Sequence, residues 1–292
     1  MIGKILGELN WFKRVVLAKA GVKRRYRIGN AYITLDFTHR LPDYQFSHPY
    51  YDRFLPHLVS YLPSHSVVID VGANVGDTLV GMIGANSEIE YICIEADSSF
   101  FADLQKNVRD IQSQFPNSSV HAVNVFVGKN INDISLEGVG GTKHAVLGGG
   151  SIKSQTLNKI LDDIGVKSDI SLIKTDVDGF DYDVIRSAYD SLQSNPYLYF
   201  ECQYENVSQL NGYKQLFSEL IERGYEYFSV FDNFGQFIVS TSDLKQLEEL
   251  LDYVYRQNTA KGSRTFFYYD ILAYSKHQSE SVKELVSDYL VS

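Results

Sequence analysis

Four places in this chain put carboxylates where an apolar run gives out. The first is Val68-Ile69-Asp70-Val71-Gly72-Ala73-Asn74-Val75-Gly76-Asp77-Thr78. A buried strand that runs into a glycine turn and then a helix is where open α/β sheets hold ligands, outside the carboxyl ends of their strands. Glycines there let backbone and ligand approach closely. A dinucleotide fingerprint would need glycine at 72, 74 and 77. This chain has Gly72, Asn74 and Asp77 instead, with Gly76 and Thr78 completing the turn. It therefore lacks the close approach to a pyrophosphate and sets a carboxylate at the helix N-terminus, which repels phosphate and attracts a cationic ligand. S-adenosylmethionine, with a sulfonium and an amino group, is such a ligand, and Asp70 at the strand end is expected to face the same cation.

The second place is Glu95, at the end of Tyr91-Ile92-Cys93-Ile94-Glu95 and 23 residues after Gly72. That is near the spacing at which an acid takes the ribose hydroxyls of a nucleoside, and a bidentate carboxylate suits a vicinal diol. The third is Leu172-Ile173-Lys174-Thr175-Asp176-Val177-Asp178-Gly179-Phe180-Asp181. In an extended segment Asp176 and Asp178 point the same way, toward a cleft mouth. Asp181 is expected to cap the next helix. Glu201 ends a further apolar strand, Tyr197-Leu198-Tyr199-Phe200. Group transfer from a cofactor held at such a cleft depends on orientation and gains from a base. Asp176 and Glu201 are the candidate bases, with Asp178 and the loop residue His144 as further catalytic candidates. Asp176, Asp178 and Glu201 together have the oxygen chemistry for Mg²⁺, but the favoured reading assigns no metal ligand. His39, His48, His57, His65, His121 and His277 show no metal-ligand spacing. Six glycines in residues 138–150 suit a loop that closes over an acceptor, or a simple connection.

These residues need a scaffold that brings strand ends together. Apolar runs predict strands at 67–71, 91–95, 120–127, 171–175 and 197–200. They alternate with helical spacings at 77–83, 98–111, 156–164, 181–192 and 213–223. A hairpin is expected over 225–240, a helix over 244–256 and a last strand over 266–274. The implied architecture is a mostly parallel, seven-stranded, Rossmann-like sheet with helices on both faces and an antiparallel edge. Upstream, residues 26–37 read as one or two strands with a turn at Gly29-Asn30, and 50–62 as helical. The implied organisation is a lead-in over 1–62, a catalytic domain over 63–277 and a helical tail over 278–292. With 44% hydrophobic and 22% charged residues, the composition is that of a globular protein and excludes disordered, collagen-like and rod-like chains. Two cysteines, Cys93 and Cys202, sit in apolar runs and read as buried thiols of a reducing compartment.

The net charge of −9 argues against nucleic-acid binding. Residues 1–30 hold eight basic side chains against the single acid Glu8, a local +7. The spacing of Ile2, Ile5, Leu6, Leu9, Phe12 and Val16 makes this arm a basic amphipathic helix rather than a secretory signal. Such a helix either lies on an anionic membrane or a partner, or packs back on the acidic body.

Taken together, V-V-I-D-V-G-A-N-V-G-D-T, I-E-A-D, S-Q-T-L-N-K-I-L and I-K-T-D-V-D-G-F-D-Y-D-V-I resemble the FkbM family of S-adenosylmethionine-dependent methyltransferases. The likeness covers roughly residues 65–202. The chain departs from the family at Glu95-Ala96-Asp97, where E-P-D is usual. It departs again at Thr156-Leu157-Asn158 for T-L-D and at Asp176-Val177-Asp178-Gly179 for D-V-E-G. The resemblance implies a class I methyltransferase fold, an S-adenosylmethionine site that includes Asp97, and O-methylation of a sugar or glycan acceptor. The expected setting is the cytoplasm, at the inner membrane face where lipid-linked glycans are built, with residues 1–27 meeting the membrane or a glycan-assembly partner. The alternatives are a methyltransferase of a small natural product and a catalytically silent binding module. A nicotinamide dehydrogenase is disfavoured by Asn74 and Asp77.

Overall fold

The computed structural model describes residues 2–129, 134–137, 144–147, 153–166, 168–260 and 264–291. The chain opens with helix α1 (Ile2–Lys19), a hairpin of β1 (Lys23–Ile28) and β2 (Ala31–Asp36), and two short helices, α2 (Leu41–Ser47) and α3 (Phe54–Ser60). The alternating part follows: β3 (Val67–Val71), α4 (Asp77–Ala85), β4 (Glu90–Ile94), α5 (Ser98–Gln114), β5 (Ser119–Val123) and β6 (Phe126–Val127). Next come β7 (Ile134–Glu137), β8 (His144–Leu147), β9 (Ser154–Gln155), α6 (Leu157–Ile164), β10 (Ile170–Thr175), α7 (Asp181–Arg186) and β11 (Tyr197–Cys202). The chain ends with α8 (Val207–Glu222), β12 (Tyr227–Asp232), β13 (Phe237–Thr241), α9 (Leu244–Thr259), β14 (Tyr269–Tyr274) and α10 (Ser279–Val291).

One sheet organises the molecule, in the order β13-β12-β14-β11-β10-β3-β4-β5. β3, β4, β5, β10 and β11 are parallel. β14 inserts antiparallel between β11 and β12. The seven expected strands are present, and β13, the second strand of the expected hairpin, adds an eighth at the edge. Central strands are buried on both faces, which is why β3 reads as an unbroken apolar run rather than an alternating one. One face carries α4 and α5 with Leu79, Val80, Leu104 and Ile111. The other carries α6, α7, α8 and α9 with Ile160, Val184, Phe217 and Leu251.

The lead-in and the tail share the first of these cores. Ile33 and Leu35 of β2, Phe54 and Leu58 of α3, and Leu285 and Tyr289 of α10 are all buried in it. Phe54 packs tilted against Phe231 with ring centroids 4.1 Å apart and meets Tyr289 edge-on at 5.2 Å. Three readings shift. The strand expected over 120–127 breaks, because β6 leaves the main sheet to pair with β9. The helix expected over 181–192 is cut at Arg186 and resumes as a 3₁₀ turn. Asp181 is not a cap: it is the first residue of α7. Its buried carboxylate turns back to accept from Thr175 Oγ1 at 2.6 Å and Tyr213 OH at 3.2 Å.

Candidate active site

The register of the sheet builds the site. Cys93, Asp70, Lys174, Tyr199 and Leu272 lie side by side across β4, β3, β10, β11 and β14. Side chains two residues apart on a strand share a face. The next row toward the strand ends therefore brings together Glu95, Gly72, Asp176, Glu201 and Asp270. These last five line a cleft of about 840 Å³, joined by Asn74, Asp77, Thr78, Asp97 and Asp178. The lead-in closes its other wall with Trp11, His39, Tyr51 and Asp52.

Glu95 is held as a preset acceptor. It is 8% exposed, and Oε2 accepts from Asn74 N at 2.8 Å while Oε1 accepts from Asp97 N at 2.7 Å. Each carboxylate oxygen has a second lone pair to offer, so a vicinal diol fits this group. Burial, working against the charged form, raises its carboxyl above the ordinary value. Gly72 has φ of 78°, and a Cβ there would stand 2.0 Å from the Asp176 carbonyl oxygen. Only glycine lets the β3–α4 turn and the end of β10 come this close. Asn74 also adopts a left-handed φ, 48°, which turns its N–H toward Glu95.

Several expected residues have other places. Asp70 does not face the cleft: it is wholly buried and paired with Lys174 Nζ at 2.9 Å, beneath the turn. Lys174 also donates to the Gly72 carbonyl at 3.1 Å. Burial disfavours its charge, but Asp70 and then Asp176 outweigh that and hold the ammonium above its ordinary range. The pair thus pins the glycine turn to β10. Gly76 caps α4 with φ of 88° and packs on Leu104. Asp97, although it borders the cleft, caps α5, accepting from Ser99 N at 2.9 Å and Phe100 N at 3.0 Å. The backbone of His144 lies in β8, paired with Glu137. Its side chain, like the glycines of 138–150, lies outside the described residues.

Asp176 is 50% exposed at the cleft, 3.7 Å from Lys174 Nζ. Glu201 is different: 6% exposed, with Oε2 unpartnered among the described residues. Burial pushes its carboxyl well above the usual range, and the charges of Asp176, Asp178, Asp181 and Asp270 push further. Asp270, opposite Glu201 in the sheet, is raised by burial and then by Asp176 and Asp52. Asp52, with φ of 55°, is open to the cleft yet walled by protein. That crowding raises its carboxyl, and the charges of Asp77 and Asp176 add to it. Lys174, Asp270 and Asp52 escape the sequence reading. The first two have a visible signal, a single charge inside an apolar strand; Asp52 has none. Among the described residues, no three His, Cys, Asp or Glu side chains converge as metal ligands. No helix among them is long and apolar enough to cross a membrane.

Numbered from β3, the seven principal strands run 3-2-1-4-5-7-6 across the sheet, and carboxylates crown their carboxyl ends. The fold is that of a class I methyltransferase. Residues 70–227, more than half of the chain, match the family model for the methyltransferase FkbM domain, and the chain belongs to this family. A solved FkbM methyltransferase of Methylobacillus flagellatus KT is 15% identical, with a TM-score of 0.48. The match covers 80% of this chain and 50% of that one, so this chain spans half that protein's length. An O-methyltransferase from Bacillus cereus, solved in complex with S-adenosylhomocysteine, is 11% identical with a TM-score of 0.45, covering 77% of this chain and 80% of that one. The O-methyltransferase TomG of Streptomyces achromogenes is 9% identical with a TM-score of 0.44, covering 76% and 79%. A comparison with curated proteins finds no match.

Proposed function

We propose that this methyltransferase transfers a methyl group from S-adenosylmethionine to a hydroxyl of a sugar or glycan. The observation that carries the reading is Glu95, fixed by two backbone N–H groups beside a glycine turn, with acceptor capacity to spare for a ribose diol. Bound S-adenosylmethionine supplies an electrophilic methyl group. The chain's own work is orientation and proton transfer. The turn around Gly72 and Asn74 forms the floor on which Glu95 stands. The Asp70–Lys174 pair keeps that floor against β10. Asp176, at the cleft and near a charged lysine, takes the proton of the acceptor hydroxyl. Lys174 does not serve as base, because its neighbours keep it protonated. Glu201, buried with Oε2 unpartnered among the described residues, positions the acceptor instead. The rings of Tyr51, Tyr199 and Tyr268 on the cleft wall suit a sugar face.

Glu95→Ala should weaken S-adenosylhomocysteine binding by roughly ten- to a hundredfold in calorimetry, the worth of about 1.5–3 kcal/mol for hydrogen bonds to a charged group. Wild-type affinity in the folded variant would remove Glu95 from the cofactor site.

Attachment of the basic arm to an anionic membrane face is the second part of the proposal. Support comes from Phe12, 68% exposed on α1, with Lys13 and Lys19 exposed on the same helix. The opposite task, packing on the body, engages Arg14, which is paired with Asp43 at 2.7 Å. It also engages Lys23, paired with Asp36 at 2.9 Å and Asp103 at 3.1 Å. Each lysine near an anionic leaflet contributes about 1 kcal/mol. The full chain should sediment with phosphatidylserine vesicles at low salt, and Lys13→Glu with Lys19→Glu should release it. Negligible sedimentation by both proteins would leave the arm its packing role alone.

A further inference from the structure

The acceptor half of the cleft holds more negative charge than a neutral sugar can use. Glu201 and Asp270 stand directly opposite each other on β11 and β14. Like charges at that separation destabilise a sheet. Glu201 is nine-tenths buried, and its Oε2 has no partner among the described residues. A buried polar atom left without a partner costs free energy. Tyr199 hydrogen-bonds Asp270 and holds it in place. Asp52 approaches from the α2–α3 connection. Lys174, beneath them, is committed to Asp70 and the Gly72 carbonyl. On the far wall, Arg40 lies over Trp11 at 4.8 Å and His39 Nε2 is 3.7 Å from Asp77.

We infer that the acceptor carries a protonated amine close to the hydroxyl that is methylated, and that Glu201, Asp270 and Asp52 receive it. This rests on the O-methyltransferase reading above. Three features fit an ammonium better than the alternatives. It donates up to three hydrogen bonds, one of which answers the unpartnered Glu201 Oε2. It is also attracted by aromatic rings, and Tyr51, Tyr199 and Tyr268 line the same cleft. A divalent cation would need a tight cage of oxygen ligands, and among the described residues no set of three His, Cys, Asp or Glu side chains could hold a metal ion. A neutral hydroxyl would fill the gap at Glu201 but leave the repulsion between Glu201 and Asp270 in place. Burial first, and then neighbouring carboxylates led by Asp176, raise the carboxyls of both residues, and a bound cation offsets this.

The test uses the full chain loaded with S-adenosylhomocysteine, at a pH that keeps amines protonated. Glucosamine and galactosamine are each compared with their N-acetyl counterparts by saturation-transfer NMR titration. The amines should bind at least tenfold more tightly, and Glu201→Gln and Asp270→Asn should each remove most of the difference. Unchanged S-adenosylhomocysteine affinity in both variants shows that they are folded. If each amine and its acetylated partner bind alike, or neither binds, the inference is overturned. The same holds if Mg²⁺ alone binds and Glu201→Gln abolishes it, which would make the carboxylates a metal site. Failure of the wild-type chain to bind S-adenosylhomocysteine would overturn the methyltransferase reading itself. Binding of that molecule without amine preference overturns only the acceptor inference.

Discussion

Gly72→Val should abolish cofactor binding and methyl transfer together. A β-branched residue at φ of 78° is strained, and left-handed backbone costs an L-residue about 1–2 kcal/mol before any collision. The collision is larger: the new Cβ would stand 2.0 Å from the Asp176 carbonyl oxygen and 2.9 Å from its carbon. Both partners are backbone, so neither side chain can swing aside. The turn and the end of β10 must separate, which displaces Asn74 from Glu95 and moves Asp176. The injury thus comes from two strand ends forced apart rather than from overlap with the ligand alone. Calorimetry with S-adenosylhomocysteine should show no binding, and the melting temperature should fall. Gly76→Ala gives the contrast, since its Cβ meets the Leu104 side chain at 2.9 Å rather than backbone. Wild-type affinity in Gly72→Val would sink the site assignment.

Asp176→Asn should lower kcat by about 10²–10⁴-fold, the usual loss when a general base is removed. The substitution keeps the shape, and Asp176 is half exposed, so the fold and S-adenosylhomocysteine affinity should hold. Glu201→Gln should behave differently, raising KM for the acceptor more than it lowers kcat. Glu201 is buried in the acceptor half of the cleft and positions the acceptor rather than acting as the base, so the amide keeps its shape while weakening that contact. EDTA should leave turnover of the wild-type protein unchanged. Normal turnover by Asp176→Asn would mean that catalysis rests on positioning alone. Activity lost to EDTA and restored by Mg²⁺ would move the carboxylates into a metal role.

The positions of Gly72, Asn74, Glu95, Asp176 and Glu201 are legible from the chain because each is a local event. An apolar strand ends, and the first polar or glycine residue after it stands at the sheet's carboxyl edge. Strand and helix spacings carry the same kind of local information, so the class I sheet is legible with them. What a residue touches across the sheet is not local. Asp70 and Asp176 look alike in sequence, each an acid beside an apolar run. Yet one lies in the row below the cleft, locked to Lys174 at 2.9 Å, and the other opens to solvent. Asp181 resembles a cap until Thr175 and Tyr213 draw its carboxylate inward. Asp52 and Asp270 lie 218 positions apart. They share a cleft because α3 packs against β11 and β12, the strands on either side of β14, through Phe54, Tyr199 and Phe231. Periodicity decides which way a side chain points within its own element. Which charges then meet depends on register and packing between elements distant in the chain, and that is where a carboxylate becomes a floor, a base or a seat for the acceptor.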